Sequence, residues 1–289
     1  MGRSGGIRSG SGGSGTGFLD LFSDVITLSL PGNKISLNPA DTLDMTSFES
    51  QFTDTETATI STPATVGAAT LASCIAWYDV PNYSGSGNLL NSGTGGSALD
   101  MVASGGPTFG SSKFTMDGTD DLFTCANNAL LNIAAGEQFC LGIVASMSAG
   151  MTSGDYIVAK GANGVQGYNI RVLSTPDTMV GAFQASDGQL VNTGTASALV
   201  TGQKRLFFVS GRAAGSGGPH YTGWLTNANF ANYNIMSTAS VGTITNTDPL
   251  TIGGRVGGPY VPMDVTAVFF AKRALQLQAL LSICAVYGI

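Results

Sequence analysis

The chain has 289 residues, of which 43% are hydrophobic, only 10% are charged and 41 are glycine. An average soluble protein carries about 25% charged residues, so the polar surface here must be Ser, Thr, Asn and Gly, which favours an all-β chain over one of charged helices. The net charge of −6 argues against nucleic-acid binding.

Residues 1–17 form a Gly/Ser-rich arm with Arg3, Arg8 and no acidic residue. Such a stretch is a flexible coil when alone. A neighbouring subunit is expected to grip it, with Arg3 and Arg8 as charged anchors; the bland alternative is a linker or tag. No signal peptide is visible. No apolar run approaches the roughly 20 residues of a membrane span, so no membrane partner is expected.

Residues 18–70 read as an extended docking segment. Phe18, Leu19, Leu21 and Phe22 open it and are its expected partner-binding residues, in a helical turn that passes into a strand through Ile26, Leu28 and Leu30. Pro31-Gly32-Asn33 is a turn. Ile35 to Pro39 is extended, because the residue before proline avoids the α region. Asp41 to Thr65 is acidic and Thr-rich, and residues 18–65 together have too few apolar groups to fold alone.

From residue 71 to 289 short apolar runs recur between Gly, Asn and Ser turns, beginning with Ile75-Ala-Trp77-Tyr78. Eleven candidate strands are expected, ending with Val265 to Phe270, and antiparallel pairing follows from the short connections. No helical period is sustained before Ala274; Leu277, Leu280 and Leu281 then recur at helical spacing, predicting a short C-terminal helix. Cys74, Cys125, Cys140 and Cys284 each sit in apolar runs and read as buried free thiols rather than disulfides or zinc ligands.

The ordered set of segments resembles the laminin-G-like, or concanavalin-A-like, jelly-roll family of lectins and glucanases. The resemblance rests on Ile75-Ala-Trp77-Tyr78-Asp79, the hairpin Phe114-Thr-Met-Asp-Gly-Thr-Asp-Asp-Leu-Phe123, and Phe139 to Val144, where the family's tryptophan is missing. Leu250-Thr-Ile-Gly-Gly254 and the closing Asp264 to Leu275 complete it. It implies an antiparallel β-sandwich of two curved sheets, with a concave face that in some members binds glycans or calcium.

Glycan-cleaving members resemble one another in a Glu-x-Asp-x-Glu strand, whose alternation puts an acid and a nucleophile on one face. This chain has three glutamates, Glu49, Glu56 and Glu137, none in that pattern. The single histidine, His220, sits in a Gly/Pro stretch and reads as a loop residue. No enzyme activity and no cofactor are therefore expected. Asp117, Asp120 and Asp121 are weak calcium candidates; the alternative is a turn whose aspartates bond their own backbone. Tyr221, Trp224 and Tyr260 are candidates for stacking on a glycan, against a plain core role.

The expected function is that of a structural protein of a virus particle, a bacteriophage capsid decoration or cement protein anchored by its arm. The localisation that follows is a virion assembled in the host cytoplasm. The expected partners are the major capsid protein or neighbouring copies, in a homo-oligomer or assembly. The alternative is a carbohydrate-binding adhesion module of a phage tail or fibre, with cell-surface glycan as partner.

Overall fold

The apolar runs become strands because alternate side chains find a core on one face and a second layer on the other. The computed structural model describes residues 26–30, 33–37, 62–80, 83, 87–161, 166–172, 179–186, 190–195, 201–211, 220–226, 230–236 and 243–289. The chain divides into two compact units, Met1–Thr62 and Pro63–Ile289. In the first, β1 (Ile26–Leu30) pairs antiparallel with β2 (Asn33–Leu37), with Leu30 opposite Asn33. The arm residues Arg3, Arg8, Phe18, Leu19, Leu21 and Phe22 lie outside the described residues.

The second unit is an all-β sandwich of two antiparallel sheets. The first sheet runs, in spatial order, β12 (Leu190–Thr195), β11 (Met179–Gln184), β10 (Gly167–Val172), β9 (Tyr156–Lys160), β16 (Leu250–Ile252), β7 (Leu122–Cys125) and β4 (Val102–Ser104). The second runs β15 (Phe230–Met236), β14 (His220–Leu225), β13 (Arg205–Gly211), β8 (Phe139–Met147), β17 (Pro262–Ala271), β6 (Phe114–Asp117) and β5 (Thr108–Phe109). β3 (Ala76–Asp79) pairs with β17 beyond the end of β6. The two-residue and three-residue edge strands, and β12 and β15, go beyond the eleven strands expected from sequence.

The core between the sheets holds Phe114, Phe123, Phe139, Tyr168, Phe183 and Phe270 among others. Tyr168 stacks on Phe270 with ring centroids 5.0 Å apart. Its hydroxyl donates to the Leu131 carbonyl, so no polar atom is stranded there. β17 carries a bulge between Val265 and Ala267. The extra residue, Thr266, shifts the alternation by one. Met263 and Val265 therefore share the inner face with Val268 and Phe270, while Ala267, Phe269 and Ala271 face outward.

Two helices cover that outward face, α1 (Pro63–Ala72) and α2 (Leu277–Tyr287). α1 is a correction: it falls within the stretch 18–70 expected to be an extended docking segment, and no helical period was expected so early. Its sequence carries no charge and almost no amphipathic pattern, because Gly67 and Leu71 meet a helix rather than water. α2 begins three residues later than the expected Ala274. Across the helix pair, a Cβ at Gly67 would lie 2.1 Å from the Ser282 carbonyl oxygen. In the sheet beneath, the Phe269 ring lies over Gly142, its cross-strand partner. All four cysteines are buried free thiols, and burial pushes Cys74 and Cys284 up to about 12.

α2 is tied by polar contacts to β3 and to the residue before β13. Trp77 Nε1 donates to the Tyr287 hydroxyl at 3.0 Å, and Lys204 Nζ donates to the Tyr287 carbonyl at 2.7 Å. The Tyr287 hydroxyl also bonds the Asp79 carboxylate, which is 7% exposed. Burial pushes the Asp79 carboxyl up to about 6, against the bonds from Tyr287 and Val80 that favour its charge.

Two predictions test this layer. Gly67→Ala gains about 1 kcal/mol of helix propensity but drives a methyl into rigid backbone. Overpacking costs about 1–3 kcal/mol, so a lower urea midpoint is expected. For Asp79, a folded pKa above the unfolded value means stability is fully present below about pH 4 and lost as pH rises through 6. Asp79→Asn is expected to flatten that loss, adding about 2 kcal/mol at pH 7 and little at pH 4, measured by urea denaturation across pH.

Candidate functional site

The first sheet differs from the second in what its outer face carries. Leu250, Ile252, Val158, Tyr168 and Ile170 point inward. The outward row runs in register across the ladder as Val102, Thr124, Thr251, Ala159, Asn169 and Ala182. Past the sheet edge this row is buried: Thr251, Ala159, Asn169 and Ala182 are 4%, 2%, 2% and 1% exposed. Val102 at the edge is 56% exposed, and Thr124 is half-buried.

A pocket of about 120 Å³ is cut into this face above Ala159, Gly161 and Thr251. Asp248 and Pro249 form one wall; Arg255 and Val256 form another. The second wall stands where it does because the chain turns back after β16: the Thr251 hydroxyl lies 2.7 Å from the Gly254 carbonyl and 3.3 Å from that of Ala159. A break in the β9–β10 register beside Tyr156 sets Tyr156 opposite Arg171. The Arg255 guanidinium lies over the Tyr156 ring, 5.2 Å from its centroid.

The first wall is held from inside the sandwich by Lys160, which is 1% exposed. Its Nζ donates to Asp248 O at 2.8 Å, to Asn127 Oδ1 and Asn246 Oδ1 at 2.9 Å, and reaches Asn246 O at 3.3 Å. Four oxygens and no donor surround the nitrogen, an arrangement suited to an ammonium. Burial pushes Lys160 down to about 8, with Asp248 and Cys125 pulling the other way, so it stays charged at pH 7. Asn246 locks the same loop: its Nδ2 donates to Gln166 O at 2.6 Å, and its Oδ1 accepts from the Asp248 N–H at 3.1 Å.

A second concavity, about 530 Å³, lies where β4 and β5 leave their sheets open. Tyr83 and Phe109 line it, stacked with ring centroids 3.9 Å apart. Asn88, Val102 and Ser104 and the backbone of Gly105–Pro107 complete it, without a charged group. Val102 belongs both to this groove and to the outer row that leads to the pocket.

Asp117, Asp120 and Asp121 do come together, with carboxylate oxygens within 4.8 Å of one another. The Asp117 N–H donates to Asp121 Oδ2 and the Thr119 N–H to Asp117 Oδ1, which is the chemistry of the hairpin turn itself. Trp224 is a correction to the stacking set. It is 8% exposed within the inter-sheet core, with the Arg205 guanidinium 3.6 Å over its ring. Tyr221 lies in β14 opposite Ser210, its side chain outside the described residues. Tyr260 is half-buried beside Gly254. His220 opens β14 rather than sitting in a loop. Sequence reasoning missed Tyr83, Phe109, Lys160, Asp248 and Arg255. Lys160 carried the one available signal, a lone cation ending an apolar strand.

No protein-family model matches the chain, and no curated protein matches it in sequence. Solved structures match in shape. The binding domain of Paraclostridial Mosquitocidal Protein 1 is similar over 75% of this chain and 52% of its own, at 11% identity and a TM-score of 0.53. The receptor binding domain of botulinum neurotoxin D is similar over 76% and 53%, at 11% identity and 0.53. That of the mosaic serotype C/D is similar over 75% and 51%, at 12% identity and 0.54. This chain spans about half the length of each. At such identity the likeness shows the β-sandwich fold alone.

Lys160→Met removes the cation and strands its oxygens. Amide exchange at Asp248 is expected to speed up about tenfold or more, while amides in β8 are unaffected. Unchanged exchange would mean that the loop does not depend on Lys160.

Proposed function

We propose that Pro63–Ile289 is a non-enzymatic binding module that holds a hydroxyl-rich glycan along the rim and outer face of the seven-stranded sheet. The observation that carries this is the uncharged edge groove walled by the Tyr83–Phe109 stack. Aromatic faces pack on the C–H faces of sugar rings, and neutral amide and hydroxyl groups suit sugar hydroxyls. Neighbouring strands lie about 4.8 Å apart, so the groove at Val102 and the pocket at Ala159 are separated by roughly 14 Å. The similar solved structures are named as binding domains, which supports the same reading. The pocket offers one carboxylate, Asp248, where two-carboxylate glycoside cleavage needs a pair. Membership in the laminin-G-like family belongs to this proposal.

A second reading keeps the same fold in a different setting. The chain would be a decoration or cement subunit of a bacteriophage particle, assembled in the host cytoplasm and bound to the major capsid protein or to its own copies. Its 10% charge and the separate unit Met1–Thr62 favour an assembly subunit. Detection of the chain in purified particles supports this reading, and its absence from them rejects it.

The glycan reading is tested on an array of neutral oligosaccharides followed by calorimetry. Tyr83→Ala is expected to weaken a binding sugar by about tenfold through loss of the aromatic wall. An array without any bound sugar rejects the proposal.

A further inference from the structure

We propose that the outer-face pocket is a subsite for one acidic sugar unit, with Arg255 anchoring its carboxylate and Asp248 accepting its hydroxyls. The proposal rests on the glycan reading and names the substrate class that the same face takes.

Arg255 stands apart from the other cations. Every other Lys and Arg whose side chain is described holds a partner, from Lys113 on Asp264 to Lys204 on the Tyr287 carbonyl and Arg273 on Ser73. Among the described residues the Arg255 guanidinium makes no hydrogen bond or ion pair; it rests only over the Tyr156 ring. The exposed Asp248 carboxylate makes no hydrogen bond or ion pair among the described residues, although its charge acts on Lys160 and its N–H and carbonyl are fixed by Asn246 and Lys160. In a chain with so few charges, an unpaired cation and an unpaired anion line one pocket without pairing with each other.

That combination selects a ligand. A guanidinium presents a planar fork of N–H donors that a carboxylate matches with two bonds. A carboxylate such as that of Asp248 only accepts, and so needs hydroxyl or ammonium donors. A sugar acid carries both halves a few ångströms apart, whereas a neutral sugar leaves the Arg255 charge without its best acceptor. Around the pair, Ala159 and Gly161 leave the floor free of bulky side chains, and Val256 (66% exposed) and Pro249 offer apolar contact for ring C–H groups. The net charge of −6 opposes an acidic ligand at long range. Screening within about 8 Å at physiological salt leaves the local pair in control.

The test is calorimetry on the full chain with a glucuronate-containing disaccharide, its neutral glucose counterpart and its glucosamine counterpart. The acidic disaccharide is expected to bind at least about tenfold tighter than the neutral one. Arg255→Gln, with its fold checked by circular dichroism, is expected to bring the acidic sugar down to the neutral affinity. Equal affinities for acidic and neutral sugars, or an Arg255→Gln variant that keeps the acidic preference, overturn the subsite and leave the glycan reading standing. A preference for glucosamine overturns the assignment of Arg255 as anchor. Absence of binding to all three sugars overturns both.

Discussion

The pairing of β17 is the constraint on which the sandwich depends. It is ten residues long and meets β8 along one edge and both β6 and β3 along the other. Its neighbours on one side are contributed by residues 76–79 and 114–117, so almost the whole second unit must be made before the strand can be placed. The bulge at Thr266 lets this strand serve two cores. Without it, a strict two-residue alternation would send either Val265 or Val268 to the wrong face.

Covering both faces of that sheet has a consequence for function. The inner face packs on the first sheet, and the outer face lies under α1 and α2, with Cys74, Cys140 and Cys284 sealed between. The proposed site therefore falls on the first sheet, whose outer row is Thr, Ala and Asn. There the scaffold is held by a buried cation rather than by a second apolar layer. Lys160 joins β9 to the segments at Asn127 and Asn246–Asp248, so the pocket wall is fixed by contacts made inside the protein. A binding site built this way needs little reordering when it is filled, which lowers the cost of association.

The fold was largely legible in the sequence. Short apolar runs bounded by turn residues, such as Phe139–Val144 and Arg205–Val209, read as strands, and Leu277 to Leu281 gave the closing helix. α1 was not legible, because a helix lodged against another helix through Gly67 shows neither charge nor amphipathic period. The bulge at Thr266 was also hidden, since apolar residues on both faces erase the pattern that would mark a shift. The candidate site was less legible still. Trp224 was chosen for its ring, but its partner on β13, Phe207, points into the core and takes it along. Arg255 and Asp248 are separated by a strand and a reversal, and no spacing rule announces that Thr251 will fold the chain back on itself.

Low charge links the two levels. A protein with 10% charged residues cannot rely on a diffuse electrostatic field for recognition, so selectivity must come from contact geometry. Most of its described charges are already spent inside the molecule, on carbonyls, on carboxylates or in the Lys160 cage. A charge left unspent beside a pocket therefore carries more information here than it would on an ordinary, highly charged surface. One unpaired guanidinium and one unpaired carboxylate at the pocket supply discrimination, because each is satisfied only by a ligand of opposite character placed at the right distance.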